Sequence, residues 1–232
     1  SFGEHAKAEA RLLNVRLSPD HSIVEAQICG RGLVYRLGAP GRHLAMNSLA
    51  VLLAAKALGV DLDAAAGALA FFAAQPGRGE RLTLAAANGP YTLIDESYNG
   101  NPASMRAAFE LAGALPLEPP GRRIAVLGDM LEHGQSAAPI HAELAADLAA
   151  NQIDLVFAAG PLMQSLVEAL PAAMRGGWRQ TADLLAPDVA AAVRAGDIVV
   201  VKGSNGSRMK VIVEALKRDA SEADAAQEGR NS

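Results

Sequence analysis

Apolar and polar residues alternate over Arg11 to Leu17 and Ser22 to Ile28, and Gly30, Gly32 and Gly38 punctuate the pattern. This predicts that the first forty residues are β-strands joined by turns, belonging to a larger sheet. From His43 to Leu58 the pattern becomes helical: Leu44, Leu49, Leu52 and Leu53 recur at three- to five-residue spacing, and Gly59 stands where the helix would stop. Asp61 is placed to cap a second helix that runs to about Phe72. In Gln75-Pro76-Gly77-Arg78-Gly79, proline and glycine cluster between a helical and an extended stretch, which predicts a domain boundary there.

Past that point short apolar runs take over, at Tyr91 to Ile94, Ile124 to Leu127, Leu155 to Ala158 and Ile198 to Val201. Runs without alternation suit strands buried on both faces. Helical patterns lie around Ala103 to Leu115, His141 to Ala150, Leu162 to Leu170, Leu184 to Arg194 and Arg208 to Lys217. Strands and helices in turn predict an α/β fold with a doubly wound parallel sheet. From Asp219 onward the residues are polar and without period, so an unstructured tail is expected.

Composition narrows the function classes. With 232 residues, half of them apolar and 20% charged, the chain can bury a sizeable core in one or two domains. Its net charge of −4 supplies no basic field for nucleic acid or an anionic membrane. No apolar run approaches the ~20 residues of a bilayer span, and one cysteine, Cys29, fits a reducing, cytoplasmic setting. Cysteine-built zinc sites are excluded, and no cluster of His, Cys and carboxylates predicts a metal site. A monomer without nucleic-acid partners is expected.

Ligands of open parallel sheets bind beyond the carboxyl ends of the strands. Three of the four apolar runs end in polar clusters: Asp95-Glu96-Ser97-Tyr98-Asn99-Gly100-Asn101-Pro102, Gly128-Asp129-Met130-Leu131-Glu132, and Lys202-Gly203-Ser204-Asn205-Gly206. The remaining run ends blandly at Ala158-Ala159-Gly160. The distribution predicts one cleft holding carboxylates, amides and a lysine. Helix capping accounts for some of these residues: Asn99 or Asn101 could cap the helix that follows, with Pro102 in its first turn, and Ser204 or Asn205 the last helix. It does not account for Tyr98 beside two carboxylates, or for Lys202 directly after a buried strand, where a charge needs a partner or a ligand. Gly203 and Gly206 allow close backbone approach to an anion. Earlier in the chain, His43 and Asn47 share one helix face, where an asparagine can read a planar edge through a donor and an acceptor. Arg78 could stack on a base or pair with phosphate. His5, His21 and His141 read as surface or helix residues.

In order, Gly41 to Ala50 (GRHLAMNSLA), Asp95 to Met105 (DESYNGNPASM), Val126 to Gly134 (VLGDMLEHG) and Val201 to Gly206 (VKGSNG) resemble the Mur ligases. Among these they are most similar to the branch that joins D-alanyl-D-alanine to UDP-N-acetylmuramoyl-tripeptide in peptidoglycan synthesis. The resemblance implies a three-domain, ATP- and Mg2+-dependent amide ligase that works through an acyl phosphate. It implies that residues 1–78 are the end of the central P-loop ATPase domain, that 79–218 are the Rossmann-like C-terminal domain and that 219–232 are a tail. By position His43, Asn47, Arg78, Glu96, Tyr98 and Asn99 would bind nucleotide, while Asp129, Lys202, Ser204 and Asn205 would bind the dipeptide. Glu96 stands where many relatives have Asp, and Leu44 where Asn is common. The family's phosphate-loop pattern occurs nowhere in the chain, so the loop, the metal ligands and the UDP-binding domain are expected before Ser1, and the chain alone is expected to be inactive. Two alternatives remain: a non-catalytic module that binds nucleotide or dipeptide, and a Mur-type ligase with another amine donor.

Overall fold

The computed structural model describes residues 1–18, 20–73, 77–86 and 88–228, with side chains described to residue 223 in the final helix. Contacts divide the chain into two compact units, Ser1–Ala74 and Gln75–Ser232. Gln75 and Pro76 of the expected boundary lie outside the described residues.

In the first unit β1 (Phe2–Gly3), β2 (Ala10–Leu17), β3 (Ser22–Ile28) and β4 (Arg31–Leu37) form one sheet in that order. β1 runs parallel to β2, and the other pairs are antiparallel. The β3–β4 hairpin turns on two residues with positive φ, Cys29 (47°) and Gly30 (84°), the geometry that matches strand twist in a two-residue loop. Helix α1 (Arg42–Ala57) ends where Leu58 and Gly59 donate their N–H groups to Ala54 and Lys56. Asp61 caps α2 (Leu62–Ala68) by accepting from the Ala64 N–H at 2.9 Å, and a 3₁₀ turn extends it to Phe71. Leu12, Val24, Ile28 and Leu37 pack against Leu49, Leu52 and Leu62 to make a core of their own.

The second unit contains β5 (Glu80–Ala86), β6 (Gly89–Glu96), α3 (Pro102–Ala114), β7 (Arg123–Gly128), α4 (Ala137–Ala150), β8 (Leu155–Ala159), α5 (Gln164–Ala169), β9 (Arg175–Arg179), α6 (Ala182–Ala192), β10 (Ile198–Lys202) and α7 (Lys210–Glu228). Its sheet has the order β5-β6-β10-β7-β8-β9, parallel except for β5. Alternate strand residues serve two cores. Ile94, Leu127, Val156 and Val200 pack with Met105, Phe109, Leu144 and Leu166 from α3, α4 and α5. Leu93, Val126, Phe157 and Val201 pack with Leu185, Val189, Ile212 and Leu216 from α6 and α7. Helices on both faces make this the doubly wound α/β sheet that the apolar runs predict.

Two strands were not legible in the sequence. β5 pairs with β6 along one edge and is only partly buried, so its apolar pattern is diluted. β9 reads Arg-Gly-Gly-Trp-Arg and has no apolar run, because only β8 borders it. The tail expected from Asp219 is corrected: α7 continues as helix to Glu228. Ala220 is buried, the Ser221 hydroxyl donates to the Lys217 carbonyl, and alanine and glutamate favour helix even where few apolar residues mark it. Residues 229–232 lie outside the described residues.

Candidate functional site

The sheet of the second unit delivers Asp95 and Glu96, Asp129, and Lys202 to the carboxyl ends of β6, β7 and β10. β10 lies between the other two strands, with Lys202 level with Glu96 on one side and Leu127 on the other. Two loops are thereby brought into contact. The Lys202 ammonium donates to Glu96 Oε2 at 3.2 Å and to the Asn99 carbonyl at 3.0 Å. The Ser204 hydroxyl donates to the Gly100 carbonyl at 3.1 Å and accepts from the Leu131 N–H at 2.9 Å. A Cβ on Gly100 would come within 2.8 Å of the Gly203 backbone, so glycine is needed where the loops cross.

Asp95 ties its own loop to the segment that precedes β5. Its two carboxylate oxygens accept from the Gly77 and Ser97 N–H groups, each at 3.0 Å. The Tyr98 N–H donates to the Gly77 carbonyl, which fixes the segment that carries Arg78. The Arg78 guanidinium then lies 4.1 Å from the centre of the Tyr98 ring, and both side chains are exposed. Asn99 accepts from the Gly100 N–H. Asn101 is the cap of α3 and forms a reciprocal capping box with Ser104, with Pro102 in the first turn.

Asp129 is held differently. Its Oδ1 accepts from the Met163 N–H at 2.9 Å, and a Cβ on Gly160 (φ 111°) would lie 2.3 Å from its Cγ. The run that ends at Gly160 looked bland, but its backbone makes room for this carboxylate. Burial pushes the Asp129 carboxyl up from the ordinary aspartate range, offset in part by the N–H groups of Met163 and Leu162 and by His141. His141 is on a helix, as expected, but it is fully buried rather than at the surface. Its Nε2 accepts from the Met130 N–H at 2.9 Å while Nδ1 lies 2.7 Å from the Ala137 carbonyl, so it ties α4 to the β7 loop.

The polar groups are spread over two adjoining cavities that share Asp183 and Arg208. A cavity of about 830 Å³ is lined by Asp95, Ser97, Tyr98, Asn205 and Arg208, together with α6 and α7 residues that include Asp183, Lys210 and Glu214. Asp129 instead lines a smaller cavity of about 180 Å³ with Gly160, Thr181, Ser207 and Arg208. Lys202 and Glu96 line neither and are buried as a pair. Sequence reasoning missed Asp183, Arg208, Lys210 and Glu214; the one available signal was the run of charge directly after the VKGSNG segment. In the first unit, His43 and Asn47 lie one turn apart on α1, the former half-buried and the latter exposed. A Cβ on Gly41 (φ 131°) would come within 2.9 Å of the His43 ring.

Residues 77–205 match the family model described as Mur ligase, glutamate ligase domain. The UDP-N-acetylmuramoyl-tripeptide–D-alanyl-D-alanine ligase of Bacillus subtilis is 31% identical over 180 residues, covering 76% of this chain and 38% of that protein. The UDP-N-acetylmuramate–L-alanine ligase of Salinispora arenicola is 31% identical, covering 90% of this chain and 42% of that one. Among solved structures, the MurF ligase of Thermotoga maritima in complex with ADP is similar in fold, with a TM-score of 0.76 and 22% identity, covering 94% of this chain and 48% of that chain. The chain thus spans well under half the length of the two curated relatives.

Proposed function

The chain belongs to the Mur ligase family, and from that premise we propose that it supplies part of an ATP-dependent ligase that joins D-alanyl-D-alanine to UDP-N-acetylmuramoyl-tripeptide. In this reading residues 1–78 end the central ATPase domain and residues 79–218 form the C-terminal domain. The γ-phosphate of ATP passes to the terminal carboxylate of the tripeptide, giving ADP and an acyl phosphate. The dipeptide, as its free amine, then attacks the acyl carbon, a C–N bond forms, phosphate leaves with the C–O bond electrons, and the nitrogen gives up one proton to the departing phosphate or to water. Phosphate is a far better leaving group than hydroxide, and exclusion of water spares the acyl phosphate from hydrolysis. Mg2+ would accompany the nucleotide and offset the charge of its phosphates.

The observation that carries this reading is the DESYNGN loop at the end of β6, where Arg78 stacks on Tyr98 beside Glu96 and Asn99. An exposed cation on an aromatic face suits a nucleotide, whose base can stack and whose phosphates are anionic. His43 and Asn47, on α1 of the first unit, would bind nucleotide by their match to the family motif. Asp129 and Asn205 would serve the dipeptide, the former as partner for its ammonium. Ser204 would act there through its backbone position, since its hydroxyl is bonded to Gly100 and Leu131.

The test uses the intact ligase that contains this chain. Asn47→Ala and Arg78→Ala are each expected to raise KM for ATP about tenfold and to leave KM for D-alanyl-D-alanine within about twofold. Unchanged ATP kinetics in both variants would overturn the nucleotide assignment. The Salinispora arenicola relative favours a second reading, with L-alanine as amine donor. Product formation with D-alanyl-D-alanine and none with L-alanine decides for the first reading, and the reverse decides for the second.

A further inference from the structure

Lys202 is the feature that the proposed chemistry leaves unexplained. It is 2% exposed, on the central strand β10, and its ammonium meets a carboxylate and a carbonyl from a loop more than a hundred residues earlier in the chain. An ammonium so buried is costly unless it is paired, and here Glu96 and Asn99 supply the pair. Glu96 is itself buried, and its Oε1 lies on the side of Gly79, where a Cβ would approach to 3.2 Å. A lone carboxylate buried beneath a loop that receives a polyphosphate would repel it. With a lysine fixed behind it, the carboxylate keeps its hydrogen-bonding lone pairs but loses its net field.

We propose that Lys202 is a positioning residue, the internal counterion of Glu96 and the clamp of the Asn99 carbonyl, which makes the DESYNGN loop a neutral wall for an anionic nucleotide. The inference rests on the nucleotide reading of that loop and assigns Lys202 to it, rather than to the carboxylate of the dipeptide. The lysine acts through Glu96 and touches no substrate.

Four versions decide the matter: wild type, Lys202→Met, Glu96→Gln, and the double variant. The double variant removes both charges, while glutamine keeps an oxygen acceptor in place. In the 232-residue chain, Lys202→Met is expected to raise the unfolding equilibrium constant about a hundredfold, because it strands a buried carboxylate, and the double variant to recover most of that loss. In the intact ligase, Lys202→Met is expected to raise KM for ATP about tenfold, with kcat and KM for the amine substrate within about twofold. The double variant should return KM for ATP to within about threefold of wild type, a rescue that loss of folding alone would not give. A Lys202→Met enzyme that loses affinity for the amine substrate but not for ATP overturns the proposal, as does a double variant no better than the single one. A wild-type enzyme without ATP dependence overturns the nucleotide reading itself; ATP dependence with KM unchanged in Lys202→Met overturns only the role given to the lysine.

Discussion

At Asp129 burial and hydrogen bonding pull in opposite directions, and burial prevails: the carboxyl is raised above its ordinary 3.8. A carboxyl raised on folding contributes stability that is complete below the unfolded value and is lost as pH rises through the folded value. Asp129→Asn keeps an acceptor for the Met163 N–H and removes the titration. The fall in urea midpoint between about pH 4 and neutrality should therefore be shallower in the variant than in wild type. Parallel slopes would show that Asp129 is not the group responsible. Single residues differ in how much the sequence tells of them. Asn101 followed by Pro102 reads as a cap and is one, because capping is settled within four residues. His141 could not be read, since its partners are a backbone N–H eleven residues earlier and a carbonyl one turn away.

Elements were legible where burial is symmetrical. The four central strands lie between helices on both faces, so their residues form short unbroken apolar runs. β5 and β9 occupy the edges, where one neighbour is missing and the selection for apolar residues relaxes. α7 shows the converse: Ala and Glu sustain a helix through Glu228 although its sequence after Asp219 carries no apolar stripe. The start of α3 offers a test at this scale. Asn101→Ala removes the acceptor for the Ser104 N–H and is expected to cost about 1 kcal/mol, read as a lower urea midpoint with an unchanged m-value. A loss below about 0.3 kcal/mol would mean that Ser104 and Pro102 hold the helix start without the asparagine.

Across the whole molecule, the two units have separate cores, with Leu49 and Leu52 central to the first and the β6, β7, β8 and β10 residues shared by the two cores of the second. Trp178, the single tryptophan, packs at the margin of one core in the second unit, so its fluorescence reports that unit. Leu49→Ala opens a cavity in the first core and should cost roughly 2–5 kcal/mol there. Circular dichroism, which sees both units, is expected to melt earlier in the variant, while the Trp178 midpoint moves less. Equal shifts by both probes would show that the units unfold as one.

The sequence by itself determined the order of the four central strands and the helices between them, the doubly wound class, the caps at Asp61 and Asn101 and the family resemblance, because periodicity, capping and contiguous motifs are properties of neighbouring residues. The expected cap of the last helix at Ser204 or Asn205 is not one, since α7 begins at Lys210 and the Ser204 hydroxyl bonds Gly100 and Leu131. Tertiary structure alone decided how the charges are spent. Insertion of β10 between β6 and β7 sets Lys202 beside Glu96 across 106 positions of sequence, and places Asp129 in a different cavity from Tyr98. Of the residues expected in one cleft, Glu96 and Lys202 form a buried pair, while Tyr98 and Asp129 line two adjoining cavities. Which strands become neighbours is a matter of packing, and no local pattern encodes it.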